Sequence, residues 1–122
     1  MSSERQMTEP SHKVGTKLLF ENDRVRVWEM HLRPGELSTR HIHDADYLFV
    51  YLTKSKLALL RESEPIETSE EPAGFVQYTD VGPGIVHAVE NVGTDDHREI
   101  LVELKGPSRS AHPRQPETNE PR

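Results

Sequence analysis

From Val14 to Lys105 the chain is a succession of short runs rich in β-branched and aromatic residues, each closed by turn chemistry. KLLFE, RVRVWEMHL, YLFVYLT, KLALLR, FVQYT, IVHAVEN and EILVELK each have the length of a strand, and END, RPGE, TKS, GPG and VGTDD separate them. No window sustains a helical period, although PIETSEEPAG has room for a helical turn. No repeat of the solenoid or propeller kind is present. Seven or more short strands in roughly 90 residues bury their apolar side chains only by closing into a barrel or packing two sheets face to face. The expectation is an all-β domain.

Composition says where that domain lies. With 122 residues, 33% of them hydrophobic, and a mean hydropathy of −0.75, the chain has material for one domain with one modest core. Residues 1–13 are polar and aperiodic, and residues 106–122 carry four prolines with mixed charge, so both are expected to be disordered tails flanking a barrel at 14–105. There is no cysteine, which excludes disulfides, thiolate metal sites and a cysteine nucleophile. A net charge of −6 offers no footprint for nucleic acid or an anionic membrane. No export signal or membrane span is evident, and the simplest expectation is a cytoplasmic protein with a small-molecule substrate.

The chemistry concentrates at GELSTRHIHDADYLFVYL. Side chains two apart on a strand emerge on one face, so His41 and His43 can converge on one point. Downstream, Gly82, Pro83 and Gly84 form a corner, and His87 follows on a fresh strand as a candidate third ligand. On the next strand after the pair, Tyr47, Phe49 and Tyr51 share one side, while Leu48, Val50 and Leu52 share the other. Because both faces are apolar, the outer one is expected to pack against a second subunit, giving a homodimer. Arg26 alternates with Trp28, Met30 and Leu32. In one register it is a buried cation able to anchor a substrate carboxylate; in the other it is outside.

Two motifs make the chain resemble the cupin superfamily. Gly35, His41 and His43 match the first, which runs Gly, five residues, His-x-His, three or four residues, Glu, six residues, Gly. Gly84, His87 and Asn91 match the second, which ends Pro-x-Gly, two residues, His, three residues, Asn. The match spans roughly Leu18 to Lys105. Tyr47 stands where the first motif has its glutamate, Lys54 stands at its closing glycine, Gly82 takes the proline position of the second, and Gly74 lies two residues early for its opening glycine.

The resemblance implies a jelly-roll β-barrel with His41, His43 and His87 in its mouth as ligands to a divalent transition metal. Iron(II) is foremost, with zinc, nickel, manganese or copper as alternatives. Three neutral imidazoles leave the ion its full charge and several open positions, which suits an anionic chelating substrate such as a β-dicarbonyl enolate or a thiolate. Three-His cupins that cleave diketones or oxidise thiols are similar, and a dioxygenase-like enzyme is the leading expectation. A non-redox lyase or isomerase on the same site, or a metal-free cupin that only binds a small ligand, are the alternatives. Tyr47 is expected to hydrogen-bond to substrate or bound water, or to fill the pocket; ligation would need the tyrosinate form. Arg40 reads as a rim charge, Glu29 and His31 as outward-facing, one of Gln77 and Tyr78 as cavity-facing, and Asn91 as a turn-closing residue. His12, His97 and His112 carry no chemistry in this reading.

Overall fold

The computed structural model describes residues 9–108. Nine strands form two antiparallel sheets, and no helix occurs among the described residues. The strands are β1 (Lys17–Glu21), β2 (Val25–Leu32), β3 (His41–His43), β4 (Tyr47–Tyr51), β5 (Ser55–Leu60), β6 (Glu67–Glu71), β7 (Val76–Thr79), β8 (Ile85–Asn91) and β9 (His97–Leu104). One sheet has the order β1-β2-β9-β4-β7 and the other β3-β8-β5-β6. Apart from the hairpins β1–β2 and β5–β6, strands consecutive in sequence fall into different sheets, the jelly-roll arrangement in which two curved sheets close over a shared interior. The all-β domain expected from the turn spacing, and the jelly roll that the resemblance implies, are what the chain forms. No helix among the described residues is long and apolar enough to cross a membrane.

PIETSEEPAG departs from expectation. Its central residues form β6, paired along β5 from Ser55↔Glu71 to Leu59↔Glu67, and make no helical turn. Thr68 and Ser69 favour extended backbone or compete with helical hydrogen bonds, and β5 offers a free edge that fixes the segment as a strand.

Ser11 falls within the tail expected at 1–13, yet it bridges to His41, its amide donating to the Arg40 carbonyl and its own carbonyl accepting from the Ile42 amide. At the other end Ser108 is buried, its hydroxyl donating to the Asp46 carboxylate, which also accepts from the Val81 amide. The remaining tail residues, His112 among them, lie outside the described residues.

Strand register decides what faces inward. Across the five-stranded sheet, Arg26, Glu103, Tyr47 and Thr79 form one inward row, and Trp28, Leu101, Phe49 and Gln77 form the next. Met30, Glu99 and Tyr51 follow. The apolar core is small: Val14, Trp28, Tyr47, Val81 and Leu101, with Phe49 and Ile85 against it. Val14, Tyr47 and Leu101 of this core also line a cavity of about 530 Å³.

Candidate metal centre

β3 is only three residues long, and its pairing explains why His41 and His43 stay inward. His41 lies opposite His87 and His43 opposite Ile85, so all three imidazoles project from one face of the β3–β8 pair. Gly84 sets the entry to β8 with φ of 128°, a conformation that side-chain-bearing residues rarely adopt, and its amide donates to the Val81 carbonyl to close the corner.

The ring centroids are 4.8 Å apart for His41–His43, 4.7 Å for His41–His87 and 4.8 Å for His43–His87, with every pair edge-on. Such a triangle of mutually perpendicular rings directs one nitrogen of each toward a common point. The three lie at 1%, 1% and 8% relative exposure.

The hydrogen bonds define which nitrogens face that point. His41 Nδ1 is 2.8 Å from the Thr39 carbonyl, which can only accept, so Nδ1 carries the proton and Nε2 presents a bare lone pair. That Nε2 is buried and has no hydrogen-bond partner among the described residues. His43 Nε2 and His87 Nε2 are 3.0 Å apart. Two nitrogens at that separation lie about 2.1 Å from a shared ion when they meet at roughly a right angle, the distance at which imidazole binds divalent transition metals. A buried lone pair without a donor and two nitrogens at ligand spacing fit a cation held by His41, His43 and His87, which form the one such cluster found among the described residues.

Electrostatics favour the same form. Burial, followed by the neighbouring imidazoles, pushes His43 down to about 2, while burial and His41 push His87 down to about 3. Burial also lowers His41, against a smaller opposing effect of the Thr39 carbonyl. His43 and His87 are therefore neutral and ligand-competent well below neutral pH, and His41 is shifted in the same direction.

No family model matches the chain, and no curated protein matches it. Solved structures do. A cupin domain from Bordetella pertussis Tohama I superposes with a TM-score of 0.67 at 26% identity, over 81% of this chain and 99% of that one. This chain is a cupin by fold. A protein with a double-stranded β-helix domain from Klebsiella pneumoniae is similar at a TM-score of 0.59 and 18% identity, over 88% of this chain and 86% of that one. The DMSP lyase DddQ from Ruegeria pomeroyi DSS-3 shares the fold at a TM-score of 0.51 and 13% identity, over 69% of this chain and 40% of that one.

In this cupin the position of the motif glutamate is filled by a ring. Tyr47 stacks on His43 with centroids 4.1 Å apart and planes 19° from parallel, packing against the imidazole. Burial, partly offset by a hydrogen bond with the Thr79 side chain, pushes its hydroxyl up to about 12, so it remains a phenol.

Arg26 takes the inward register but is not brought to the histidines' cavity. Its Nε donates to Glu103 Oε1 at 2.9 Å, and Trp28 Nε1 donates to the same oxygen at 2.8 Å. The buried Glu103 thus neutralises Arg26, whose side chain is 31% exposed. Gln77, rather than Tyr78, lines the cavity; the Tyr78 hydroxyl donates to Asp46. Asn91 closes its turn as expected, donating to the Leu32 and Asp95 carbonyls and accepting from the Gly93 amide. Arg40 pairs with Glu62, while Glu29 accepts from Arg98 and His31 meets Asp96 on the outer face.

His97 is the main correction. Read as a turn histidine without chemistry, it opens β9 fully buried and hydrogen-bonded to Ser55 and Glu99. Glu99, also passed over, lines the same cavity as the three histidines.

Proposed function

We propose that this cupin is a metal-dependent enzyme that binds a small oxygenated chelator at His41, His43 and His87 and acts on it as a dioxygenase. The observation that carries the reading is the convergence of three neutral imidazoles, one with a buried and unpartnered lone pair, without a carboxylate among them. An iron(II) ion held there would supply oxygen activation, and zinc, nickel, manganese or copper would supply Lewis acidity. The chain itself supplies a cavity of about 530 Å³, walled by Phe49, Leu57, Val89 and Leu101 and large enough for a small organic substrate. Among the described residues no lysine or arginine lines it, so the charge of a bound anion is met chiefly at the histidine cluster.

A lyase or isomerase at the same site is the second reading, and Glu99 favours it by placing a carboxylate base in the same cavity. The lyase name of the Ruegeria pomeroyi protein accompanies likeness of fold only.

The test is elemental analysis of protein purified without added metal, followed by an oxygen-uptake screen against β-dicarbonyls and thiols. One equivalent of iron with oxygen consumption is the expected result. Turnover without oxygen uptake would select the lyase reading, and protein that retains no transition metal and takes up none would end both.

A further inference from the structure

Ser55, His97 and Glu99 form a chain of short hydrogen bonds that the metal cluster does not use. His97 Nδ1 lies 2.7 Å from Ser55 Oγ, and His97 Nε2 lies 2.6 Å from Glu99 Oε1. Serine, histidine and carboxylate in this order match the parts of a nucleophilic triad, but the placement is reversed. Ser55 is 4% exposed and absent from the cavity wall, whereas Glu99 lines the cavity. The group presented to a substrate is the acid, and the serine is its support.

The supporting chain has a direction. The Arg98 amide, which can only donate, gives its proton to Thr53 Oγ1 at 3.0 Å, and Thr53 Oγ1 is 3.0 Å from Ser55 Oγ. With Thr53 donating to Ser55, Ser55 donates to Nδ1, and His97 Nε2–H then donates to an ionised Glu99. A second complete arrangement exists once Glu99 holds a proton. Oε1–H donates to Nε2, Nδ1–H donates to Ser55 Oγ, and the serine hydroxyl turns to the Thr53 carbonyl at 3.2 Å. Every donor is satisfied in both charge states, a property of a group built to gain and lose a proton. Glu99 has His97 as its one hydrogen-bond partner among the described residues, which leaves its other oxygen for the cavity.

The groups facing Glu99 fit this role. Met30 and Tyr51 lie opposite it on the neighbouring strands, Glu71 stands near Tyr51, and Glu67 and the three histidines line the rest of the wall. Arg61 pairs with Glu67 at 3.3 Å, and no lysine or arginine among the described residues lines the wall itself, so Glu71 and Glu99 are left to oppose the entry of a preformed anion.

From this we propose that the substrate enters as a neutral carbon acid and that Glu99 removes its proton inside the cavity, with His97 as the positioning residue. The proposal rests on the chelating-substrate reading above. The substrate C–H bond breaks, its electron pair delocalises over the adjoining carbonyls as an enolate, and the proton forms an O–H bond on Glu99. No oxidant or reductant enters this step.

Stopped-flow ultraviolet absorbance of zinc-loaded protein mixed with pentane-2,4-dione at pH 7 follows formation of the bound enolate. Glu99→Gln is isosteric and retains an oxygen for His97, so it should hold zinc as before but form the enolate roughly 100-fold more slowly than wild type. Glu29→Gln, on the outer face of β2, should match wild type. An unchanged rate in Glu99→Gln, or a rate lost in Glu71→Gln in its place, overturns the assignment. Zinc binding without enolate binding overturns the substrate class and this proposal with it, whereas failure to bind zinc marks the failure of the metal site itself.

Discussion

Acidifying the metal-free protein from pH 7 to pH 5 should destabilise it by an amount that the histidine cluster sets. In the unfolded chain each histidine titrates near its ordinary 6.5, while in the fold His43 and His87 are lowered to about 2 and about 3. The unfolded state then binds more protons than the folded one throughout this window, so stability rises with pH up to about 6.5 and is lost as pH falls below it. Because both folded values lie far below pH 5, the cost over this interval comes from protonation of the unfolded chain alone. It amounts to about 2 kcal/mol per histidine, or about 4 kcal/mol for His43 and His87 together. His41 is lowered as well and adds in the same direction. Against the roughly 5–15 kcal/mol of a typical domain that is a large fraction.

The assay is urea unfolding in chelator, followed through the fluorescence of Trp28, the only tryptophan and a buried one. Carboxylates whose folded values are lowered, such as Asp96 beside His31, lose their contribution only at more acid pH and stay out of the window. His87→Leu should lose about 2 kcal/mol less than wild type between pH 7 and pH 5, whatever its stability at pH 7. Equal pH dependence in the two proteins would refute the claim that the buried imidazole stays neutral. The same reasoning makes the pH dependence of metal affinity between pH 5 and pH 7 shallow, since neither His43 nor His87 must first shed a proton.

Three other outcomes are expected. His87→Ala should lose metal, by elemental analysis, yet melt cooperatively as apo-protein, because the core of Val14, Trp28, Tyr47, Val81 and Leu101 does not include it. Tyr47→Phe should retain metal, since the ring stacked on His43 remains, whereas Tyr47→Glu should tighten metal binding if the carboxylate reaches the ion; affinities from chelator competition decide both. The protein should be a homodimer by light scattering, and Val50→Glu, on the outer face of β4, should convert it to monomer without unfolding it.

The barrel was legible because its signals are local: turn residues at regular spacing and runs of strand length. IVHAVEN and KLLFE coincide with β8 and β1. His41 and His43 were legible as a period-two pair and His87 as a candidate on the strand after a Gly-Pro-Gly corner, and the resemblance to the two cupin motifs is what joined the three. β6 was not, since ETSEE takes its conformation from the β5 edge, and no local preference announces that pairing. Arg26 was left open between two registers, and its inward placement depends on Glu103, 77 positions away. Tertiary partners at that distance leave no local trace.

β9 shows most clearly how pattern alone misleads. Burial along HREILVEL alternates strictly, and hydrophobicity by itself would turn Ile100, Val102 and Leu104 inward and the two glutamates out. The fold does the reverse: His97, Glu99, Leu101 and Glu103 are buried, and the three aliphatic residues face outward, only half covered. The inversion is stable because each inward polar group has a partner, Glu103 with Arg26 and Trp28, Glu99 with His97, and His97 in turn with Ser55. Its outward consequence is an apolar surface continued by Val27, Leu48 and Val50 on the adjoining strands and by the exposed Val76 and Tyr78. One alternation thus places carboxylates in the cavity and aliphatic side chains on the outer face. A mutation that swapped the two faces of β9 would remove the cavity acid and the expected dimer surface together, so the interior chemistry and the assembly are set by the same strand register.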